Sequence, residues 1–533
     1  MAGAPEIKHD VNRGLAWIGL ASSLVGVLDF LAILILLAFW ISPEQYGSAT
    51  LAIALFPILD QVTDLGLSAA VIQRDRKDPE IVSSVFWINL ITAATLFVLL
   101  LALAPTVTGR VYDDDTIGWM LVAYGTKLLW QNVYFIPVAL MKRELRFKEL
   151  SVIRMIANLT EFAGKIGFAA AGFGIWAFIL GPMGRVLVTG IGAQICHPWR
   201  PALVLKLRET WDHAAFGMKA SASQILFSIY TNADYMVVGL YFDKASVGIY
   251  RLAYEVVLEP VRMISNVVVD IAFPTFAKLR HDRPRLIAQF ISFTRLNLVT
   301  VMIYSAVVFV AAEEVVTLFF PKYGDAPVDA IRILLGVAVL RSLSYVLPPL
   351  LDGVGHPSRT LIYMIVASVV LPTCFVVAAE VLGPTMGFES VAVAWAVGYP
   401  VAFAVLLLVT TFTIDLPVMS FVRQVVGVPL CVIAATVVGE GVKWALGGAP
   451  MALRMIAITV SIVGVAGVLL AYTQGLSPRR AKAAMRGEPA PAKATEDAVD
   501  ATAVVQAVAP AADTGVVVDA VKAAATSEPP PVA

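Results

Sequence analysis

Long apolar runs alternate with short polar connections from about residue 15 to residue 472. Each run is long enough to cross about 30 Å of hydrocarbon as an α-helix. The pattern predicts helices near 15–41, 46–72, 82–105, 117–141, 151–172, 174–195, 212–242 and 246–274, then 290–312, 330–351, 360–380, 387–412, 421–440 and 451–472. The expected fold is an all-α polytopic membrane protein of about fourteen transmembrane helices. The tight connections at Gly172–Gly174 and Asp243–Ala245 leave twelve or thirteen open as counts.

Basic residues test this count independently. Alternate connections carry Arg74, Arg76 and Lys77; Lys142, Arg143, Arg146 and Lys148; Arg200, Lys206 and Arg208; and Lys278, Arg280, Arg283 and Arg285. The opposite set holds little beyond Arg110, Lys244, Lys322 and Lys443. The positive-inside bias then puts the first set and both termini in the cytoplasm.

The stretch Leu37–Ala52 aligns with Val238–Ala253 when the chain is slid by about 200 residues, and Gly47 meets Gly248. Six helices separate the copies, so the two halves have the same orientation, a parallel repeat. The organisation read from this is a cytoplasmic segment 1–14, an N-lobe 15–195, a linker 196–211, a C-lobe 212–412, two appended helices 413–472 and a tail 473–533. The tail opens with a basic collar, Arg479, Arg480, Lys482 and Arg486, and continues in Ala, Val and Pro with scattered acids. Such a segment reads as a disordered cytoplasmic tail.

Composition sharpens the class. The chain is 59% hydrophobic and 15% charged, with a net charge of +0 and a mean hydropathy of +0.81. Three cysteines give no paired framework, and five histidines lie apart near segment ends, so no metal site, cofactor or catalytic constellation is expected. No P-loop is present and nothing supports nucleic-acid binding.

Charges inside the apolar runs are therefore the candidate chemistry. Arg251, Glu255, Glu259 and Arg262 fall within about 80° on one helix face. A charge at mid-bilayer costs about 2.5–3.5 kcal/mol on insertion scales, so these side chains must face a polar interior. Arg154, Asn158, Glu161 and Lys165 share a face in the same way, as do Lys127, Gln131 and Tyr134. The candidate substrate-binding cations are Lys127, Lys165, Arg185, Arg251, Arg262 and Arg341. The alternative reading neutralises cations locally: Glu161–Lys165 and Arg251–Glu255 are i,i+4 pairs and Glu259–Arg262 an i,i+3 pair. Lys127 and Arg185 have no acid at such spacing and are expected to be free for a ligand. The candidate ion-coupling acids are Asp29, Asp60, Asp234, Glu255 and Glu259, with proton, sodium and uncoupled transport all open.

The turn Ser42-Pro43-Glu44-Gln45-Tyr46-Gly47, the segment Asp64-Leu65-Gly66-Leu67-Ser68 through Arg74, and Phe86-Trp87-Ile88-Asn89 carry a resemblance. Asn232-Ala233-Asp234, Gly248-Ile249-Tyr250 and Phe273-Pro274 extend it into the second half. The chain resembles the Wzx-type oligosaccharide flippases of the polysaccharide transport family, in the multidrug/oligosaccharidyl-lipid/polysaccharide (MOP) superfamily, over roughly residues 10–475. The resemblance implies two six-helix lobes around a central cavity, working by alternating access in the bacterial inner membrane. The implied substrate is an undecaprenyl-diphosphate-linked glycan, with membrane lipids, a polysaccharide polymerase and chain-length or export proteins as partners. The cationic lining would then meet the diphosphate.

Two rivals stand beside it. A cation-coupled multidrug antiporter of the same superfamily predicts a lumen of acids and aromatics. A membrane glycosyltransferase or polymerase would use Asp113-Asp114-Asp115 for a metal-diphosphate site, but such enzymes carry long external loops, and the connection from Pro105 to Thr116 is short. A transporter and not an enzyme is the expectation.

Overall fold

The computed structural model describes residue 26 and residues 28–64 and 79–475; the side chains of 207–221 and 223 lie outside that description. The start of the first expected span, the Leu65–Arg74 part of the family-like segment, Arg76, Lys77 and the tail beyond Gly475 also lie outside the described residues.

Every described element is helical. In chain order they are α1 (Leu28–Phe39), α2 (Pro43–Ala54), α3 (Phe56–Asp64), α4 (Pro79–Tyr112), α5 (Asp115–Arg143), α6 (Phe147–Phe168), α7 (Ala177–Cys196) and α8 (Leu207–Tyr241). There follow α9 (Lys244–Leu279), α10 (Arg283–Val310), the short α11 (Ala312–Phe319), α12 (Pro327–Gly353), α13 (Pro357–Val381), α14 (Glu389–Ile414), α15 (Val418–Ala445) and α16 (Met451–Gln474).

Eight helical stretches among the described residues are long and apolar enough to cross a membrane, with α6 and α7 counted as one. Helices α5, α8 and α9 fall outside that set because they carry the polar and charged side chains described below. Large apolar side chains such as Val98, Leu103, Leu430 and Val460 stay exposed, as a lipid-facing surface requires. The chain is a multi-pass membrane protein.

Several boundaries differ from expectation for identifiable reasons. The expected 46–72 helix is broken at Leu55, because Pro57 has no N–H to donate back to Ile53. The expected outer loop from Pro105 to Thr116 shrinks to Asp113–Asp114, since α4 runs through Pro105 to Tyr112. The Gly172–Gly174 connection is confirmed as a turn: both glycines have positive φ, 86° and 53°, a region that favours glycine.

Helices α4, α5, α6 and α7 pack in sequence with α2 against α5, while α9 packs on α12, α12 on α14, and α13 on α8 and α14. The α15–α16 hairpin attaches through α10. The two groups meet chiefly where α2 crosses α9 and α3 crosses α8.

That crossing carries the repeat. Ser42 caps α2 by accepting from the Gln45 amide, 3.3 Å, and Asp243, at the aligned position, caps α9 by accepting from the Ser246 amide, 2.7 Å. One turn further on, the two helices touch at glycine. A Cβ on Gly47 would sit 1.8 Å from the Lys244 carbonyl oxygen, and one on Gly248 would sit 1.8 Å from the Pro43 carbonyl oxygen.

Candidate functional site

Next to the glycine crossing, against Tyr46 and Ala49 of α2 and Arg251 and Glu255 of α9, lies a cavity of about 270 Å³. Its walls come from α1 (Asp29), α2 (Tyr46), α5 (Tyr124), α6 (Glu161, Lys165), α7 (Arg185), α8 (Asn232, Tyr235) and α9 (Arg251, Glu255). Helical spacing explains the delivery: residues four apart on α6 and on α9 present both members of each i,i+4 pair to one side.

Three cations and three carboxylates line this space and neutralise one another. Lys165 Nζ donates to Asp29 and lies 2.9 Å from Glu161 Oε1. Glu161 also holds Arg185 Nη1 at 3.0 Å through its other oxygen. Arg251 donates to Glu255 and, at 2.6 Å, to the Tyr235 hydroxyl. Tyr46 links α2 to this pair: its hydroxyl donates to Glu255 Oε1 at 3.4 Å and accepts from Arg251 Nε at 3.4 Å.

These contacts bear out the pairs Glu161–Lys165 and Arg251–Glu255, and Glu259–Arg262 also forms, at 2.6 Å. They correct the expectation for the other two cations. Arg185 is not free, since Glu161 reaches it from α6. Lys127 is not free either, and it stands outside the walls of the cavity. Its Nζ lies 2.6 Å from Asp60 Oδ2, and Gln131 Nε2 donates to Asp60 Oδ1 at 2.9 Å. Sequence spacing registers only partners on the same helix; both of these partners come from another one.

A second cavity, of about 440 Å³, lies within the later helices. Arg262, Asn266, Arg341, Tyr230, Tyr345, Tyr363 and Tyr399 are among its walls. The tyrosine hydroxyls form a chain, Tyr230 to Tyr363 at 3.5 Å and Tyr363 to Tyr399 at 3.4 Å. The six candidate cations therefore divide: Lys165, Arg185 and Arg251 at the first cavity, Arg262 and Arg341 at the second, and Lys127 at neither.

The candidate acids divide as well. Asp29 and Glu255 face the first cavity, Asp60 belongs to Lys127, and Glu259 to Arg262. Asp234 is fully buried on α8 and belongs to neither wall. Its Oδ2 accepts from the Tyr250 hydroxyl at 2.9 Å and from Trp395 Nε1 at 3.1 Å, and its Oδ1 from the Tyr235 amide at 2.9 Å.

The aromatic partners escaped the sequence reading. Tyr46, Tyr235, Tyr254, Tyr399 and Trp395 sit in apolar runs where a ring reads as core, and only their hydroxyl or indole contacts reveal them. Tyr46 had a signal, its place in the family-like turn. No group of three or more His, Cys, Asp or Glu side chains suited to a metal ion occurs among the described residues. Asp114 instead caps α5 through the Thr116 amide at 2.8 Å and pairs with Lys244 at 3.0 Å.

Comparison with known proteins places this architecture. The teichuronic acid biosynthesis protein TuaB of Bacillus subtilis is 29% identical over 288 residues, 53% of this chain and 59% of that protein. The match thus spans less than two thirds of that relative's length. The lipid II flippase MurJ in an inward closed conformation superposes with a TM-score of 0.65 at 14% identity, covering 85% of this chain and 98% of MurJ. An inward-facing multidrug resistance MATE family transporter of the MOP superfamily gives 0.58 at 18% identity, covering 74% and 94%. At these identities the structural likeness is one of fold. The polysaccharide biosynthesis protein family profile matches residues 36–325, and with just over half of its length matched the chain belongs to that family.

Proposed function

We propose that this protein flips an undecaprenyl-diphosphate-linked oligosaccharide across the bacterial inner membrane by alternating access, for assembly of an exopolysaccharide, capsule or O-antigen. Fourteen transmembrane helices, with α2 and α3 together as the second, form two six-helix lobes and an appended α15–α16 pair. Both termini are cytoplasmic. Delivery to a polymerase and export proteins on the outer side completes the assignment.

One observation carries this reading: the cavity next to the α2–α9 crossing, where helices of both halves present Lys165, Arg185 and Arg251 against Asp29, Glu161 and Glu255. A polar lumen between the two repeats is what moving a charged headgroup demands. A bound diphosphate competes with the three carboxylates for the three cations. Each carboxylate so displaced needs a proton or a metal cation, which supplies a route for coupling. The name of the TuaB relative, a teichuronic acid biosynthesis protein, supports the same direction. The fold by itself suits a MATE-type antiporter equally, but the tyrosine-lined second cavity, where Arg341 has no carboxylate partner among the described residues, suits an anionic sugar better than a cationic drug.

The crossing also suggests the state. The outer end is closed by the Gly47–Gly248 approach, by Lys244 against Asp114, and by Lys322 Nζ donating to the Phe39 carbonyl at 2.7 Å. Gene deletion tests the function: one surface or secreted polysaccharide should disappear and return with the wild-type gene. An unchanged polysaccharide profile with altered drug resistance would support the antiporter instead.

A further inference from the structure

Three cationic residues among the described residues are buried: Lys127, Lys165 and Arg341. The first two are each held by a carboxylate. Arg341, on α12 and only 3% exposed, has no carboxylate within ion-pair distance among the described residues. One of its nitrogens, Nη1, donates to the Tyr254 hydroxyl at 2.8 Å. Its guanidinium otherwise lies over rings, 4.9 Å from the Trp395 centroid and 5.7 Å from that of Tyr254. Asp234, the nearby buried acid, is bonded to the edge of the same Trp395 indole and not to Arg341.

A buried guanidinium left without an anion is costly, and aromatic faces offset only part of that cost. Arg341 lines the second cavity, whose volume falls within the range of small-molecule sites. The same walls offer Tyr230, Tyr345, Tyr363 and Tyr399. Phenol rings provide flat apolar faces for the C–H side of a pyranose, and their hydroxyls provide hydrogen bonds to its rim. The other cation of this cavity, Arg262, is already taken by Glu259. The cavity's one further charge is the carboxylate of Asp352, whose Oδ1 accepts from the Thr360 hydroxyl at 2.8 Å and which forms no ion pair with Arg341. Arg341 is thus the one cation of this cavity without a carboxylate partner among the described residues, in a planar fork that matches one carboxylate.

We propose that the second cavity is a glycan-acid site, in which Arg341 binds the carboxylate of an acidic sugar whose rings lie against the tyrosines. The inference rests on the flippase reading and narrows its substrate to a glycan bearing an acidic residue. A diphosphate, with more than one negative charge, matches a single free guanidinium less well. The site would thus hold the sugar portion, while the lipid diphosphate lies elsewhere.

Calorimetric titration of the full-length protein in detergent tests this, with three probes: a glucuronate-containing tetrasaccharide, a neutral glucose tetrasaccharide and inorganic pyrophosphate. The acidic tetrasaccharide should bind at least about tenfold more tightly than the neutral one, as expected for one charge-assisted hydrogen-bonded contact. Arg341→Gln should erase that preference, and Arg341→Lys should keep part of it. Equal affinity of the wild type for the two tetrasaccharides overturns the site, and this comparison needs no variant to fold. A preference that survives Arg341→Gln, or that pyrophosphate abolishes by competition, overturns it too. Deletion of the gene reports separately on flipping. Lost polysaccharide without any acid preference sinks the site alone, and acid preference without lost polysaccharide sinks the flippase reading alone.

Discussion

Gly47 and Gly248 occupy the same position in the two aligned stretches of the chain, and in the folded protein they face each other: a Cβ on Gly47 would lie 3.1 Å from the Gly248 backbone nitrogen, and one on Gly248 would lie 3.0 Å from that of Gly47. A Cβ on either would sit 1.8 Å from a carbonyl oxygen of the opposite helix. The duplicated turn therefore builds a contact between its own copies. If that contact closes the outer end in one state of the cycle, a larger side chain should oppose closure. Overpacking of this kind costs about 1–3 kcal/mol, so Gly248→Ala should raise labelling of a cysteine placed at Ala49 by an impermeant maleimide added from outside. Unchanged labelling with full export would show that the crossing is not the outer closure.

Lys127 and Asp60 form the second testable pair. Removing Lys127 leaves Asp60 with Gln131 alone, so Lys127→Ala should lower protein abundance. The double variant Lys127→Ala/Asp60→Ala should recover most of it. A coupling of about 0.5–3 kcal/mol in thermal unfolding is expected for such neighbours. Additive effects of the two substitutions would contradict the pairing.

Arg185 differs, because Glu161 keeps Lys165 when Arg185 is lost. Arg185→Ala should leave abundance near normal yet reduce export about tenfold, the loss of one charged hydrogen-bonding contact. Arg185→Lys should retain part of the activity, since the charge remains and the fork does not. Normal export in Arg185→Ala would exclude it from the substrate path.

Between α4 and α5, burial alone would push the Asp114 carboxyl up, but hydrogen bonds from Lys244 and Thr116 hold it below the usual carboxylate range. A carboxyl depressed on folding contributes stability above its unfolded value, and that contribution is lost as pH falls through the folded one. Labelling from outside, taken relative to a fully exposed control cysteine at the same pH because only the thiolate reacts, should therefore be flat between about pH 5 and 8, whereas Asp114→Asn should raise this ratio across the whole range. A rise in the wild-type ratio between pH 8 and 5 would contradict this role for Asp114.

Much of this was legible in the chain. The apolar runs, the i,i+4 pairs and the Gly47–Gly248 alignment are local or periodic signals, and among the described residues each has its counterpart in the structure. What failed was long-range: Lys127 with Asp60 and Arg185 with Glu161 depend on which helices become neighbours, and periodicity does not encode that. The tyrosines around Arg341 were hidden for a different reason. An aromatic ring in an apolar run looks the same whether it fills the core or lines a cavity, until its hydroxyl is given a partner.

The most direct test of the central claim is the sidedness of lipid-linked repeat units in cells lacking this protein. Spheroplasts of a deletion strain should hold these precursors on the cytoplasmic leaflet, inaccessible to an impermeant glycosidase, and wild-type expression should make them accessible. Precursors found on the outer leaflet, unpolymerised, in the deletion strain would contradict the account and point to a polymerase.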